Sequence, residues 1–180
     1  MEHMFIYDTP IGKIGILDDG SAITEIRFLP DTQSGGPGCS ADTDPSVPGE
    51  IWEETELIRE AYQELSEYFK GIRKEFQVPL NPKGTEFQRK VWKVLQSIPY
   101  GETRSYGQVA ADAGNPKAAR AVGMANNRNP IPIMIPCHRV IGADGSLTGY
   151  GGGLPIKIYL LSLEKKESDA QKAAQKWSLA

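Results

Sequence analysis

Apolar and polar positions alternate over the first thirty residues. Met4-Phe5-Ile6-Tyr7 is followed by Ile11, Ile14 and Ile16, then by Ile23, Ile26 and Phe28, and Asp18-Asp19-Gly20 interrupts the run. A period near two puts alternate side chains on one face of a pleated ribbon, so this stretch predicts strands joined by a turn. The period then lengthens. Leu57, Ile58, Ala61, Tyr62, Leu65, Tyr68 and Phe69 recur at helical spacing as far as Gly71, a suitable C-terminal cap. This helix should cover one face of a small sheet. The intervening residues, about 30–50, are rich in Gly, Ser, Pro and Asp and predict a flexible loop.

Pro79-Leu80-Asn81-Pro82-Lys83-Gly84 reads as a linker, dividing the chain into an N-terminal domain (1–79), a C-terminal domain (80–165) and a tail (166–180). Helical spacing dominates beyond it. Thr85 with Gln88 fits a capping box, and Phe87, Val91, Trp92, Leu95 and Ile98 form the buried stripe of a helix that stops before Pro99-Tyr100-Gly101. Ser105 with Gln108 opens a second helix through Val109 and Ala113, which Gly114 ends; Asn115 is placed to cap a third with Pro116 at its first position. Two short helices around a glycine turn suggest a helix-turn-helix, a pattern that plain helix packing also produces. In the third helix Ala118, Ala119, Ala121, Gly123 and Ala125 leave a smooth surface from which Arg120 protrudes. Small residues suit close approach to DNA and tight helix packing alike, but Arg120 fits the second role only with a buried partner.

Charge sharpens this division. The formal net charge is -3, yet residues 1–79 carry 16 acidic and 6 basic side chains while residues 80–180 carry 7 and 14. Between Ala113 and Ala143 stand Lys117, Arg120, Arg128 and Arg139 with no acidic residue, a footprint suited to phosphate and also to an ordinary solvated face. No apolar run reaches membrane-spanning length, and Met1-Glu2-His3-Met4 opens no signal peptide, so a cytoplasmic protein is expected. Cys39 and Cys137 should be free thiols, and with His3 and His138 they have no zinc-site spacing, so no metal is expected.

The densest chemistry lies in Ile135-Pro136-Cys137-His138-Arg139-Val140. A thiolate, not a thiol, attacks carbon, so Cys137 needs a base, cation or dipole nearby, and His138 is the candidate. Neighbouring side chains diverge on strands and helices. A turn is therefore required, and Pro136 is placed to end an apolar strand, Ile131 to Ile135, with the sulfur at its tip and a water bridging to the imidazole. A lone cysteine in an apolar run is ordinarily a core residue, but Pro, Cys, His and Arg in succession are poor core material because the polar groups would need buried partners. The sulfur is expected to be ionised and open to solvent.

These residues carry a resemblance. Gly84-Thr85-Glu86-Phe87, Pro99-Tyr100-Gly101-Glu102-Thr103, Ser105-Tyr106, Arg120-Ala121-Val122-Gly123, Asn129-Pro130, Ile135 to Val140 and Gly152-Gly153-Leu154 together resemble, in order, the O6-alkylguanine-DNA alkyltransferases. The N-terminal half is similar only in its coarse strand-helix pattern. The resemblance implies a ribonuclease-H-like α/β domain, a small antiparallel sheet with a helix, followed by a mainly α domain with a winged-helix-like helix-turn-helix. It also implies direct DNA repair without cofactor, acting once as a monomer on double-stranded DNA from the minor groove. Cys137 would take the alkyl group from guanine O6 and keep it as a thioether.

The resemblance also implies individual roles. His138 would act on Cys137 through water with Glu164 orienting the imidazole, while Asn129 would pin the turn. Arg120 would fill the stack vacated by the extruded nucleotide, on a helix surface of Ala118, Ala119 and Gly123, with Ser105 nearby. Tyr106 would serve the flipped nucleotide and guanine N3. The carbonyls of Cys137 and Val140 would receive the guanine amine, with Pro132, Tyr150 and the Gly151 amide completing the pocket; relatives carry serine at the position of Gly151. Alkyl size and O4-alkylthymine remain open. Competing readings are a lesion-binding protein without transfer, which would lack the acceptor cysteine, a transcription regulator, which leaves Cys137 unexplained, and a Cys-His hydrolase, which leaves Arg120 idle.

Overall fold

The computed structural model describes residues 1–29, 49–147 and 150–178. The alternating segment forms β1 (Glu2–Thr9), β2 (Gly12–Asp18) and β3 (Ile23–Phe28), paired antiparallel in sequence order. A fourth strand, β4 (Glu50–Trp52), joins the free edge of β1 in parallel, giving the order β3-β2-β1-β4. The sheet is therefore mixed, not wholly antiparallel as expected. Three residues are too few to display an alternation, so β4 left no signal. The expected loop and Cys39 fall in 30–48, outside the described residues, and Glu50 at its end is already strand.

Helix α1 (Glu56–Phe69) begins at Thr55, whose hydroxyl accepts from the Ile58 amide at 3.1 Å. Its buried face, Ile58, Ala61, Leu65 and Tyr68, belongs to one apolar cluster with Ile14, Ile16, Ile23 and Ile26 of the sheet.

Both expected capping boxes form in full, Thr85–Gln88 at α2 (Glu86–Gln96) and Ser105–Gln108 at α3 (Tyr106–Asp112). Trp92 is 1% exposed, and its indole N–H donates to the Ala125 carbonyl at 2.9 Å, locking α2 to α4 (Ala119–Asn127). Helix α4 starts later than expected. Asn115 instead turns the chain, its side chain accepting from the Lys117 amide and its carbonyl from the Ala118 amide, so Ala118 holds the cap position without a side-chain bond.

Residues 131–135 are not a strand either. They form a buried loop that leads into a 3₁₀ turn, Cys137–Arg139, and then β6 (Val140–Ile141), which pairs in parallel with β5 (Arg104–Ser105). A continuous apolar run signals burial, and burial alone does not distinguish strand from loop. Helix α5 (Leu154–Ser178) carries on through most of the segment expected as a tail. Among the described residues no helix is long and apolar enough to cross a membrane. Main-chain bonds to β3 join the linker and the second half to the sheet: the Ile23 amide donates to the Pro79 carbonyl (2.8 Å), the Asn81 amide to the Ile23 carbonyl (2.8 Å), and the Ile26 amide to the Pro130 carbonyl (2.9 Å).

Trp92→Ala should lower the unfolding free energy by about 3–5 kcal/mol, the usual cost of emptying a large aromatic site. Thr85→Ala, removing only a cap, should cost about 1 kcal/mol. Urea denaturation checks both, and equal effects would contradict the packing described.

Candidate active site and nucleic-acid interface

The site begins with a loop held against its own strain. Ile133 has φ 73°, a left-handed conformation that a β-branched residue adopts only when its surroundings impose it. Asn129 supplies that constraint. Its Oδ1 accepts from the Ile131 amide at 3.0 Å and its Nδ2 donates to the Ile135 carbonyl at 2.8 Å, clamping both ends of the loop. The Ile135 amide to the Ile131 carbonyl (2.9 Å) and the Cys137 amide to the Ile135 carbonyl (2.7 Å) continue the turn.

Cys137 is 3% exposed, at a cavity of about 240 Å³. One wall is β3, with Glu25 to Phe28; the other comprises Asn126, Asn129, Pro132, Tyr150, Gly151 and Gly152. Gly152 is needed here, because a Cβ would stand 2.7 Å from the Phe28 ring. The expectation of an open, ionised sulfur is corrected. Burial pushes the Cys137 thiol up to about 11, although Asn129, Lys157 and Tyr150 each pull it back. The Tyr150 hydroxyl lies near enough to the sulfur for each to perturb the other's ionisation, and among the described residues it has no well-aligned hydrogen bond.

His138 and Arg139 are also buried, which the sequence argued against unless partners existed. One partner serves both. Glu164, 1% exposed, accepts from His138 Nε2 and from the Tyr68 hydroxyl (2.5 Å) on Oε2, and from Arg139 Nε (2.8 Å) and the Gly101 amide (3.1 Å) on Oε1. Gly101 reaches this carboxylate with φ 80°, a conformation glycine adopts without strain. Burial pushes Glu164 up, but His138 and Arg139 outweigh it and hold the carboxyl down at about 2. Burial likewise lowers His138, partly countered by Glu164, so the imidazole is neutral. A carboxylate accepting at Nε2 fixes the proton there. Nδ1 is then the basic atom, and it has no hydrogen-bond partner among the described residues. No hydrogen bond joins the ring to the Cys137 sulfur among those residues.

Arg120 is exposed on α4 with no ion pair among the described residues. Met124 (56% exposed), Asn127 and Arg128 share its face, and Lys117 is exposed just before the helix. Val122 and Ala125 face the core while Ala121 faces out; Ala118, Ala119 and Gly123 are half-buried. The Tyr106 ring passes 3.8 Å from where a Gly123 Cβ would stand. Ser105 spends its hydroxyl on capping α3. Val140 is buried outside the cavity lining, and its carbonyl already accepts from Lys157 Nζ at 2.6 Å.

A family model described as 6-O-methylguanine DNA methyltransferase, ribonuclease-like domain, matches residues 4–82, and one described as 6-O-methylguanine DNA methyltransferase, DNA binding domain, matches residues 86–166. The chain belongs to the 6-O-methylguanine DNA methyltransferase family. A methylated-DNA--protein-cysteine methyltransferase of Methanosarcina acetivorans is 50% identical over 159 residues, covering 88% of this chain and 96% of that protein. The Mycobacterium tuberculosis protein of the same name is 47% identical over 171 residues, covering 94% and 96%. The crystal structure of the M. tuberculosis O6-methylguanine methyltransferase is similar with a TM-score of 0.80, 47% identity and coverage of 93% and 94%. Another structure from that organism, a complex with DNA, matches with a TM-score of 0.80, 46% identity and coverage of 92% and 94%. The two-part architecture is thus that of the methyltransferase family.

Several residues of this methyltransferase-family site escaped sequence reasoning. Tyr68 read as one more apolar helix position, and Phe28 as the end of a strand. Lys157 carried a legible signal: it falls three residues before Leu160 and seven before Glu164, on one buried stripe of α5. A lysine and a glutamate there mark a polar site under a helix.

Glu164 contributes stability in full above its ordinary 4.5 and loses it as pH falls toward 2. Wild-type unfolding free energy should therefore fall more steeply over that window than that of Glu164→Gln, which should itself be less stable by about 3–5 kcal/mol at neutral pH. Parallel pH curves would contradict this. Iodoacetamide labelling of Cys137, mapped by peptide mass, should titrate with a midpoint near 11; a midpoint at or below the ordinary 9.0 would contradict a buried thiol.

Proposed function

We propose that this chain repairs double-stranded DNA by moving a methyl or other alkyl group from guanine O6 to Cys137, stoichiometrically and irreversibly. The observation that carries the reading is Cys137 at a cavity, in one tight turn with a neutral imidazole whose tautomer a buried carboxylate sets. Proton transfer then solves the problem posed by a thiol near 11. As the S–C bond forms and the C–O6 bond breaks, the thiol proton passes through a water to His138 Nδ1, and Glu164 stabilises the resulting imidazolium. Guanine leaves with the C–O6 electron pair, and a hydrogen bond from Tyr106 to N3 helps disperse the charge. A thioether has no hydrolysis route here, so each molecule acts once.

The lesion lies inside a stacked duplex, so the nucleotide must be everted, at a cost of a few kcal/mol. Helix α4 enters the minor groove, where its small residues permit close approach and Arg120 takes the vacated place. The proposed acting species is a monomer, in the cytoplasm, where thiols stay reduced.

Incubation with O6-methylguanine duplex should add one methyl group, seen by intact mass and mapped to the Cys137 peptide. Cys137→Ala should abolish transfer and retain DNA binding, which rests on backbone and groove contacts. Binding with no mass change in the wild type would favour a lesion-binding protein. Arg120→Ala should slow repair of duplex by about tenfold or more, a loss of at least one flipping contact, while sparing free O6-alkylguanine. Equal losses on both would remove the stack-filling role.

A further inference from the structure

Phe28 is the last residue of β3. Strand alternation puts it on the face of Ile26, which is 3% exposed in the core, and the Ile26 amide is bonded to the Pro130 carbonyl across the seam. Phe28 is only partly buried, and it lines the Cys137 cavity from the N-terminal half. The facing loop is packed directly on its ring. The Phe28 and Tyr150 ring centroids are 6.3 Å apart with the planes inclined at 51°, and a Cβ on Gly152 would stand 2.7 and 2.8 Å from two Phe28 ring carbons. Tyr150 therefore has no room to draw back from the sulfur unless Phe28 moves.

The chemistry of the transfer makes that wall matter. A displacement at carbon runs in line with the bond it breaks, so the sulfur, the carbon and O6 share one axis and every other group on that carbon projects sideways. A methyl group carries only hydrogens there, whereas a longer alkyl group carries a chain that needs room beside the sulfur. Tyr150 flanks the sulfur, and Phe28 backs Tyr150. The cavity, at about 240 Å³, is smaller than the roughly 300–1,000 Å³ of sites for drug-sized ligands, and it must hold a purine before any chain is added. We infer that Phe28 is a specificity-determining residue, the part of the wall that limits the size of the alkyl group. The inference rests on the proposed alkyl transfer and adds to it a selectivity set by the N-terminal sheet.

Single-turnover transfer should be timed on duplexes carrying O6-methyl-, O6-ethyl- and O6-n-butylguanine. Ethyl and n-butyl present the same kind of primary carbon to the sulfur, so their rate ratio reads room in the cavity and not intrinsic reactivity. The wild type should favour ethyl over n-butyl by about tenfold or more, the factor that even one surplus methylene costs in an apolar pocket. Phe28→Ala should lose most of that preference, and Phe28→Leu, which shortens the wall without emptying it, should lose part of it. A merely structural role, through Tyr150 and Gly152, would slow all three substrates alike and leave the ratio unchanged, and that result overturns the inference. Should Phe28→Ala fail to fold, Phe28→Leu decides by the same ratio. A wild type without preference for ethyl overturns the inference with no variant needed and leaves alkyl transfer intact. No transfer from O6-methylguanine overturns the repair reading as well.

Discussion

The Glu164 carboxylate gathers four donors from three separate stretches of chain: Tyr68 at the end of α1, Gly101 before β5, and His138 and Arg139 in the 3₁₀ turn, all onto one residue of α5. A charge this deep would be costly alone, and four donors from fixed elements make it tolerable. Arg139 extends the network, since its Nη1 also donates to the Ile98 carbonyl at 2.6 Å and so ties α2 to the turn. Both halves of the molecule thus meet at the group that orients the imidazole. Under the proposed transfer, folding and chemistry draw on the same contact.

The cavity has the same divided origin. β3 supplies one wall from the N-terminal half, and the loop after α4 together with Tyr150 to Gly152 supplies the other. The main-chain bond from Ile26 to Pro130 crosses this seam beside the cavity. The N-terminal sheet is therefore part of the cavity wall, not only a support for the helices.

Legibility in the sequence followed the range of the interaction. Short-range chemistry was plain: both capping boxes, Gly71 and Gly114, and the helical stripe from Phe87 to Leu95 needed only residues a few positions apart. Where a tertiary contact decided the matter, the pattern misled. Ile131 to Ile135 looked like a strand because it is wholly apolar, and the clamp from Asn129 that bends it into a loop is invisible to periodicity. His138 and Arg139 looked unfit for a core because their shared partner is 26 and 25 residues away. β4 was too short to read, and the start of α4 was misplaced because Asn115 serves a turn as well as it would serve a cap. The turn at Cys137 was legible and the burial of its sulfur was not, because burial is a property of the whole fold.

The buried thiol's protonation has a consequence for the protein while it waits. Only a small ionised fraction of a thiol near 11 is available at neutral pH to peroxide or to stray electrophiles in solution. A reagent consumed by its single use gains from such dormancy, since every accidental oxidation discards a whole molecule. The interior that slows the sulfur also preserves it until the right partner arrives.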